Sequence, residues 1–188
     1  MRKDIFKVVC LFCIPALIAG FAGLALAPQA LAATAKEIDA SVDSSLGLFK
    51  DVKGAEGLIK KAAGVLVFPK VYKAGIGIGG EYGEGALRIN GKTVDYYNTA
   101  SASIGFQLGG QKKTIIILFM QKDSLDKFRA SSGWKAGIDA SVAVIAIGTG
   151  GAIDTAKINE PIIAFILDQK GLMYNLTLEG SKITKIGK

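Results

Sequence analysis

The chain has 188 residues, half of them hydrophobic, which is enough for one domain with a sizeable core and too few for two ordinary ones. It carries 23 Lys and Arg against 16 Asp and Glu, no histidine and two cysteines, Cys10 and Cys13. Without histidine there is no Ser-His-Asp, Cys-His or zinc-hydrolase chemistry, and any enzyme would have to work with carboxylates or lysines alone.

The first 32 residues have the three parts of a secretory signal. Arg2, Lys3 and Lys7 form a positive start, an apolar stretch runs from Val8 to about Ala27, and Ala30-Leu31-Ala32 is a small-residue cleavage site. The expectation is an exported protein, cut after Ala32 and held in the periplasm or cell envelope. Both cysteines leave with that segment, so the mature part has no disulfide and no thiolate site. Loss of Arg2, Lys3, Lys7 and Asp4 leaves 20 basic and 15 acidic residues, a net charge of +5. That excess suits an anionic membrane surface. Nucleic acid is not expected as a partner, since no basic-aromatic motif of an RNA-binding module is present.

Residues 33–188 read as a single domain. Thr34-Ala35-Lys36-Glu37 has the form of a capping box opening a helix. Ile38, Val42, Leu46, Phe49 and Val52 then share one helix face, and Gly54 and Gly57 interrupt the pattern before a second short helix over Leu58–Ala63. From Gly64 the pattern is that of strands. Val65–Phe68 is a buried-type run that Pro69 should stop, Ala100–Leu108 alternates, and Thr114–Met120, Ser141–Ile147, Ile162–Leu167 and Leu172–Leu178 add further short strands. Asn90-Gly91 and Lys170-Gly171 read as hairpin turns. One inserted helix is expected over Ser124–Ser131, with Asp123 as its N-cap and Leu125 and Phe128 on its inner face. The expected fold is α+β: an N-terminal amphipathic helix packed on a strongly curved, mostly antiparallel, barrel-like β-sheet with one inserted helix. Much of the glycine, 24 residues in all, falls in the strand segments, which fits strong curvature or bulges.

Several strings imitate active sites. Gly75 to Gly80 satisfies G-x-G-x-x-G, but the following Glu81-Tyr82-Gly83-Glu84-Gly85 would not form the helix that a dinucleotide site needs. Glu81 with Glu84, and Asp123 with Asp126, are acid pairs with ordinary structural uses, and Asn175-Leu176-Thr177 is a glycosylation string inside an expected strand. The basic segment has the stronger claim. Lys50, Lys53, Lys60, Lys61, Lys70 and Lys73 stand against Asp51 and Glu56, a local charge of +4 beside an amphipathic helix. Lysines next to an apolar helix face suit a membrane interface, but on pattern alone they suit better a helix packed on a sheet with its lysines in water.

Ala62-Ala63-Gly64-Val65-Leu66-Val67-Phe68-Pro69-Lys70-Val71, followed by Lys73 to Gly85, resembles the opening signature of the SYLF domain family. In that signature a helix ending in Lys-Ala-x-Gly precedes an apolar strand, a Pro and a glycine-rich strand. The resemblance continues through Asp95-Tyr96-Tyr97-Asn98, Ser103 to Gln111, Ser132-Gly133-Trp134, Gly171-Leu172-Met173 and Leu178 to Thr184, nearly the whole of residues 33–188. It implies a non-enzymatic phospholipid-binding domain without cofactor or metal. By position it points to Lys60, Lys61, Lys70 and Lys73, with Lys50 and Lys53 beside them, as the lipid-binding residues. Eukaryotic relatives of the family are described as binding phosphoinositides and, in some cases, actin filaments. An exported bacterial protein meets neither, so general anionic-lipid binding is what carries over. Two other expectations stand beside it: a lipid carrier with an acyl chain inside the sheet, and a structural envelope protein that binds protein partners.

Overall fold

The structure is a computed structural model that describes residues 33–147, 153, 159–171, 178 and 180–188. The proposed leader, most of Leu172–Leu178 and Asn175 lie outside these residues. Residues Ala33–Lys188 form one compact unit.

Helix α1, Ala35–Lys50, opens on the capping box expected from the sequence: the Glu37 amide donates to Thr34 Oγ1 at 3.3 Å and the Thr34 amide donates to Glu37 Oε2 at 2.8 Å. The Thr34 amide first, and then the Thr34 hydroxyl, donate to Glu37 Oε2 and hold its carboxyl below its usual range. Helix α2, Ala55–Lys61, begins three residues earlier than the sequence pattern suggested, with Gly54 at φ 93° as its N-cap.

The first two strands are much longer than expected. Strand β1 runs over Gly64–Ile89 and β2 over Lys92–Phe119. Asn90 and Gly91 join them as a two-residue turn with φ of 51° and 77°, the left-handed pair a type I′ hairpin requires. Pro69 does not end a strand. The ladder shifts register between Phe68 and Val71, so the missing amide is absorbed in a bulge while β1 continues.

One edge of β2 pairs with β1 along its length. The other is shared by β6 (Lys182–Ile186) at Tyr96–Ala100 and by β5 (Ile162–Gly171) at Gln111–Phe119, all antiparallel. A short β3 (Trp134–Lys135) extends from β6, and β4 (Ala143–Ala146) runs parallel to β5, the one parallel pair among the described strands. Lys170 and Gly171 continue β5, paired with Lys112 and Gln111, instead of turning a hairpin.

The long β1/β2 ribbon curls because β1 passes over itself. A Cβ at Gly85 would lie 2.0 Å from the Val67 carbonyl oxygen, and one at Gly83 would lie 2.8 Å from that of Lys70. Only glycine permits this approach of backbone to backbone. The result is α+β with a strongly curled, barrel-like sheet.

Both faces of the central strands are covered, which is why their sequences are continuous apolar runs and not alternating ones. Leu66, Phe68, Ile115, Ile117, Phe119 and Ala164 face one core, closed by helix α3 (Lys122–Ala130) and Trp134. There Phe128 packs on Tyr97, Phe119 and Trp134 with ring centroids 4.9, 4.8 and 5.5 Å away. Val65, Val67, Ile116, Leu118, Ile163 and Phe165 face the other core, covered by Ile38, Val42 and Phe49 of α1 and Leu58 of α2. The N-cap of α3 is Gln121, and Asp123, expected in that role, lies in the first turn, where a negative charge favours the helix dipole.

Candidate functional site: a lysine-bearing face and cleft beside α1

Helix α1 presents different side chains on its two flanks. On one flank Asp39 and Asp43 are engaged: Arg88 Nη2 lies 2.7 Å from Asp43 Oδ1, while Thr93 and Tyr96 donate to Asp39 at 2.7 and 2.9 Å. On the other flank Ala40, Ser41, Ser44, Ser45 and Leu48 face the β1 bulge and the end of the ribbon, where they meet Pro69, Lys70, Lys112, Lys113 and Thr114. Together these ten residues line a cleft of about 370 Å³, and none of them is acidic. Ser45 is buried within the same helix face as Ile38, Val42 and Phe49, so the stripe that covers the sheet turns polar at this point. Thr114 Oγ1 donates to the Pro69 carbonyl at 3.0 Å, fixing the bulge that forms one wall.

Lys113 is buried, and its ammonium lies 3.0 Å from Glu81 Oε2, with 2% and 5% of the two side chains exposed. Burying an ammonium is tolerable only with such a partner. The positive charge at the cleft that is open to water therefore comes from Lys70 and Lys112, both exposed.

The six lysines singled out from the sequence divide among several settings. Lys50 and Lys53 are exposed at and just beyond the end of α1, and Lys60 and Lys61 are exposed in the last turn of α2. Lys60 is tied to Glu56 at 2.8 Å, a contact that lowers the Glu56 carboxyl below its usual range. Lys70 lines the cleft. Lys73 is only 7% exposed, inside the ribbon. Lys112 was not anticipated. It is brought to Lys70 by pairing: Tyr72 opposes Lys112, and Val71 opposes Lys113. Among the described residues Lys50, Lys53, Lys61, Lys70 and Lys112 make no ion pair, whereas Lys60, Lys113, Lys122, Lys185 and Lys188 do.

The imitation sites resolve into structure. Gly75–Gly80 lies within β1 with no helix after it. Glu84 accepts from Tyr82 Oη at 2.9 Å, from the Ala33 amide at 3.1 Å and from Lys188 Nζ at 3.0 Å, and Asp126 pairs with Lys122. No group of three or more His, Cys, Asp or Glu that could hold a metal occurs among the described residues, and no helix there is long and apolar enough to cross a membrane.

The family model of Ysc84, described as a Las17-binding protein actin regulator, matches residues 100–187, from the middle of β2 to the end of β6. That model is the SYLF family's, so residues 100–187 carry a SYLF match. A bacterial relative agrees: the chain is 32% identical over 156 residues to Beta cell expansion factor A of Aeromonas veronii, an alignment taking in 79% of this chain. The chain spans 58% of that relative's length. Within the SYLF match lie Lys112 and Lys113 of the cleft, while α1, α2 and the lysines from Lys50 to Lys73 precede it.

Proposed function

We propose that this SYLF domain is a non-enzymatic binder of anionic membrane surfaces, acting through the exposed lysines beside α1 and α2: Lys50, Lys53, Lys60, Lys61, Lys70 and Lys112. The observation that carries the reading is that five of these six make no ion pair among the described residues, while Asp39 and Asp43 of α1 are turned toward Arg88. Unneutralised ammonium groups are the part of a protein that an anionic bilayer attracts, at roughly 1 kcal/mol for each one near the surface. The lipid binding implied by the family resemblance points the same way. Lys73 is left out of this surface because it is buried. The apolar stripe of α1 is spent on the sheet, so attraction of charge and not insertion of that stripe supplies the affinity. Side chains of Leu66, Phe68, Ile115 and Ile117 fill the inner side of the curl, which favours surface contact over enclosure of an acyl chain.

The protein is proposed to be exported, with residues 1–32 removed and the cell envelope as its setting. The protein recovered from producing cells then begins at Ala33 by intact-mass measurement, and a mass that includes Met1 would refute the cleavage. The actin regulation in the family's description is not carried over to this setting. Binding is tested by co-sedimentation with phosphatidylglycerol and with phosphatidylcholine vesicles. Binding to the first that weakens as salt rises supports the proposal, because charge attraction is screened over about 10 Å at 0.1 M. Equal binding to both refutes it.

A further inference from the structure

The cleft beside α1 is more than part of a positive surface. Its lining side chains supply ammonium groups from Lys70 and Lys112 and hydroxyls from Ser41, Ser44, Ser45 and Thr114, so it is rich in hydrogen-bond donors and contains no carboxylate. A helix that only had to settle on a sheet beside two exposed lysines would gain by turning an acid toward them. Helix α1 turns serines to the lysines instead: Asp39 and Asp43 lie with Arg88 on the opposite flank. Glu37, which feels the charge of Lys70, spends its carboxylate on Thr34 and makes no ion pair with that lysine. Glu81 pairs with Lys113 at the cleft wall, whereas Lys70 and Lys112 make no ion pair among the described residues. A concave site of about 370 Å³ falls within the range of small-ligand sites and exceeds what a single water needs.

The rim is apolar. Leu48 at the cleft edge is 56% exposed, as is Tyr72, the cross-strand partner of Lys112. Directly opposed residues of a pair share a face of the ribbon, so Tyr72 stands beside Lys112. A phosphate group at the polar floor would leave the ester end of its carrier against Leu48 and Tyr72.

We propose that this cleft is a phosphate-ester site that holds the headgroup phosphate of an anionic phospholipid, with Lys70 and Lys112 opposing its charge and Ser41 and Ser44 donating to its oxygens. The proposal rests on the membrane reading only for the source of the phosphate; free inorganic phosphate offers the same chemistry. The test titrates the protein, as recovered from producing cells, with dihexanoyl phosphatidic acid below its micelle concentration and, separately, with inorganic phosphate. It is repeated on Lys70→Gln/Lys112→Gln and on Ser44→Glu, which places a carboxylate in the cleft at an exposed helix position, with circular dichroism as the folding control. The expected result is binding of the short-chain lipid that weakens at least tenfold in both variants, with inorganic phosphate at least tenfold weaker than the lipid. Equal affinity for the two probes would overturn the lipid source. No binding, or binding unchanged in both folded variants, would overturn the site. If Ser44→Glu still sediments with phosphatidylglycerol vesicles as the wild type does, while neither protein takes the short-chain lipid, the cleft fails and the surface reading stands. Short-chain binding without vesicle binding has the opposite meaning: the cleft stands and the surface reading fails.

Discussion

Replacing Glu81 by Gln removes one charge of a buried pair and nearly none of its volume. The Lys113 ammonium, 2% exposed and 3.0 Å from Glu81 Oε2, would be left with no counter-charge in the wall between the curled ribbon and the cleft. Breaking a buried pair from one side costs about 3–5 kcal/mol, because the remaining ion has been withdrawn from water without compensation. Against a total stability of about 5–15 kcal/mol for a domain, that is a large fraction. With a urea slope of about 2 kcal/mol/M it lowers the unfolding midpoint by roughly 1.5–2.5 M. The pair itself is imperfect, since Glu81 Oε1 has no hydrogen-bond partner among the described residues. Replacing both partners, as in Glu81→Met/Lys113→Met, should therefore leave stability within about 1 kcal/mol of the wild type or raise it. Urea unfolding of Glu81→Met, Lys113→Met and the double variant, followed by circular dichroism, measures the coupling. A loss below about 1 kcal/mol in Glu81→Gln would refute the reasoning, since it would mean that water reaches Lys113 and that the ribbon is not closed over it.

Thr34→Ala removes the side-chain cap of α1 and should lower stability by about 1 kcal/mol in the same urea assay, with an unchanged midpoint counting against the capping box. Tyr97 gives a pH dependence. Burial first, and Asp95 second, push its phenol up to about 12 from 10.0. Its contribution is thus fully present below pH 10 and is lost as pH rises from 10 through 12, at about 1.4 kcal/mol for each unit of the difference. The buried hydroxyl has no partner among the described residues, so Tyr97→Phe should fold as well as the wild type at about pH 7 and lose less stability between pH 10 and 12. Parallel losses in the two proteins would refute the assignment.

What could be read from the sequence was local or was a matter of burial. Thr34 and Glu37 cap a helix through atoms three residues apart, and Asn90-Gly91 makes its turn whatever lies beyond it. Ile115 to Phe119 had to be buried on both faces. The length of β1 could not be read, because Pro69 and the glycines that follow look like breaks until the ribbon is known to cross itself at Val67 and Gly85. The stripe of α1 was right at Ile38, Val42 and Phe49, but the structure adds Ser45, whose hydroxyl matters only beside the cleft. Lys112 lies outside the cluster that Lys50 to Lys73 form along the chain. It joins Lys70 only through the register of a hairpin whose turn lies about 20 residues away. The burial of Lys73 stayed out of sight for the same reason, since a bulge at Pro69 decides which side of the ribbon the following residues take.

The central claim is that exposed lysines beside α1 and α2 hold the domain on anionic bilayers. Its most direct test is co-sedimentation with phosphatidylglycerol vesicles of the wild type and of Lys60→Glu/Lys61→Glu/Lys70→Glu, at about 20 mM and about 150 mM salt. All three positions are exposed, so the variant should keep the wild-type circular dichroism spectrum. Strong wild-type binding at low salt, a marked loss at the higher salt, and no binding by the variant at either are expected. A folded variant that sediments with the vesicles as fully as the wild type would contradict it.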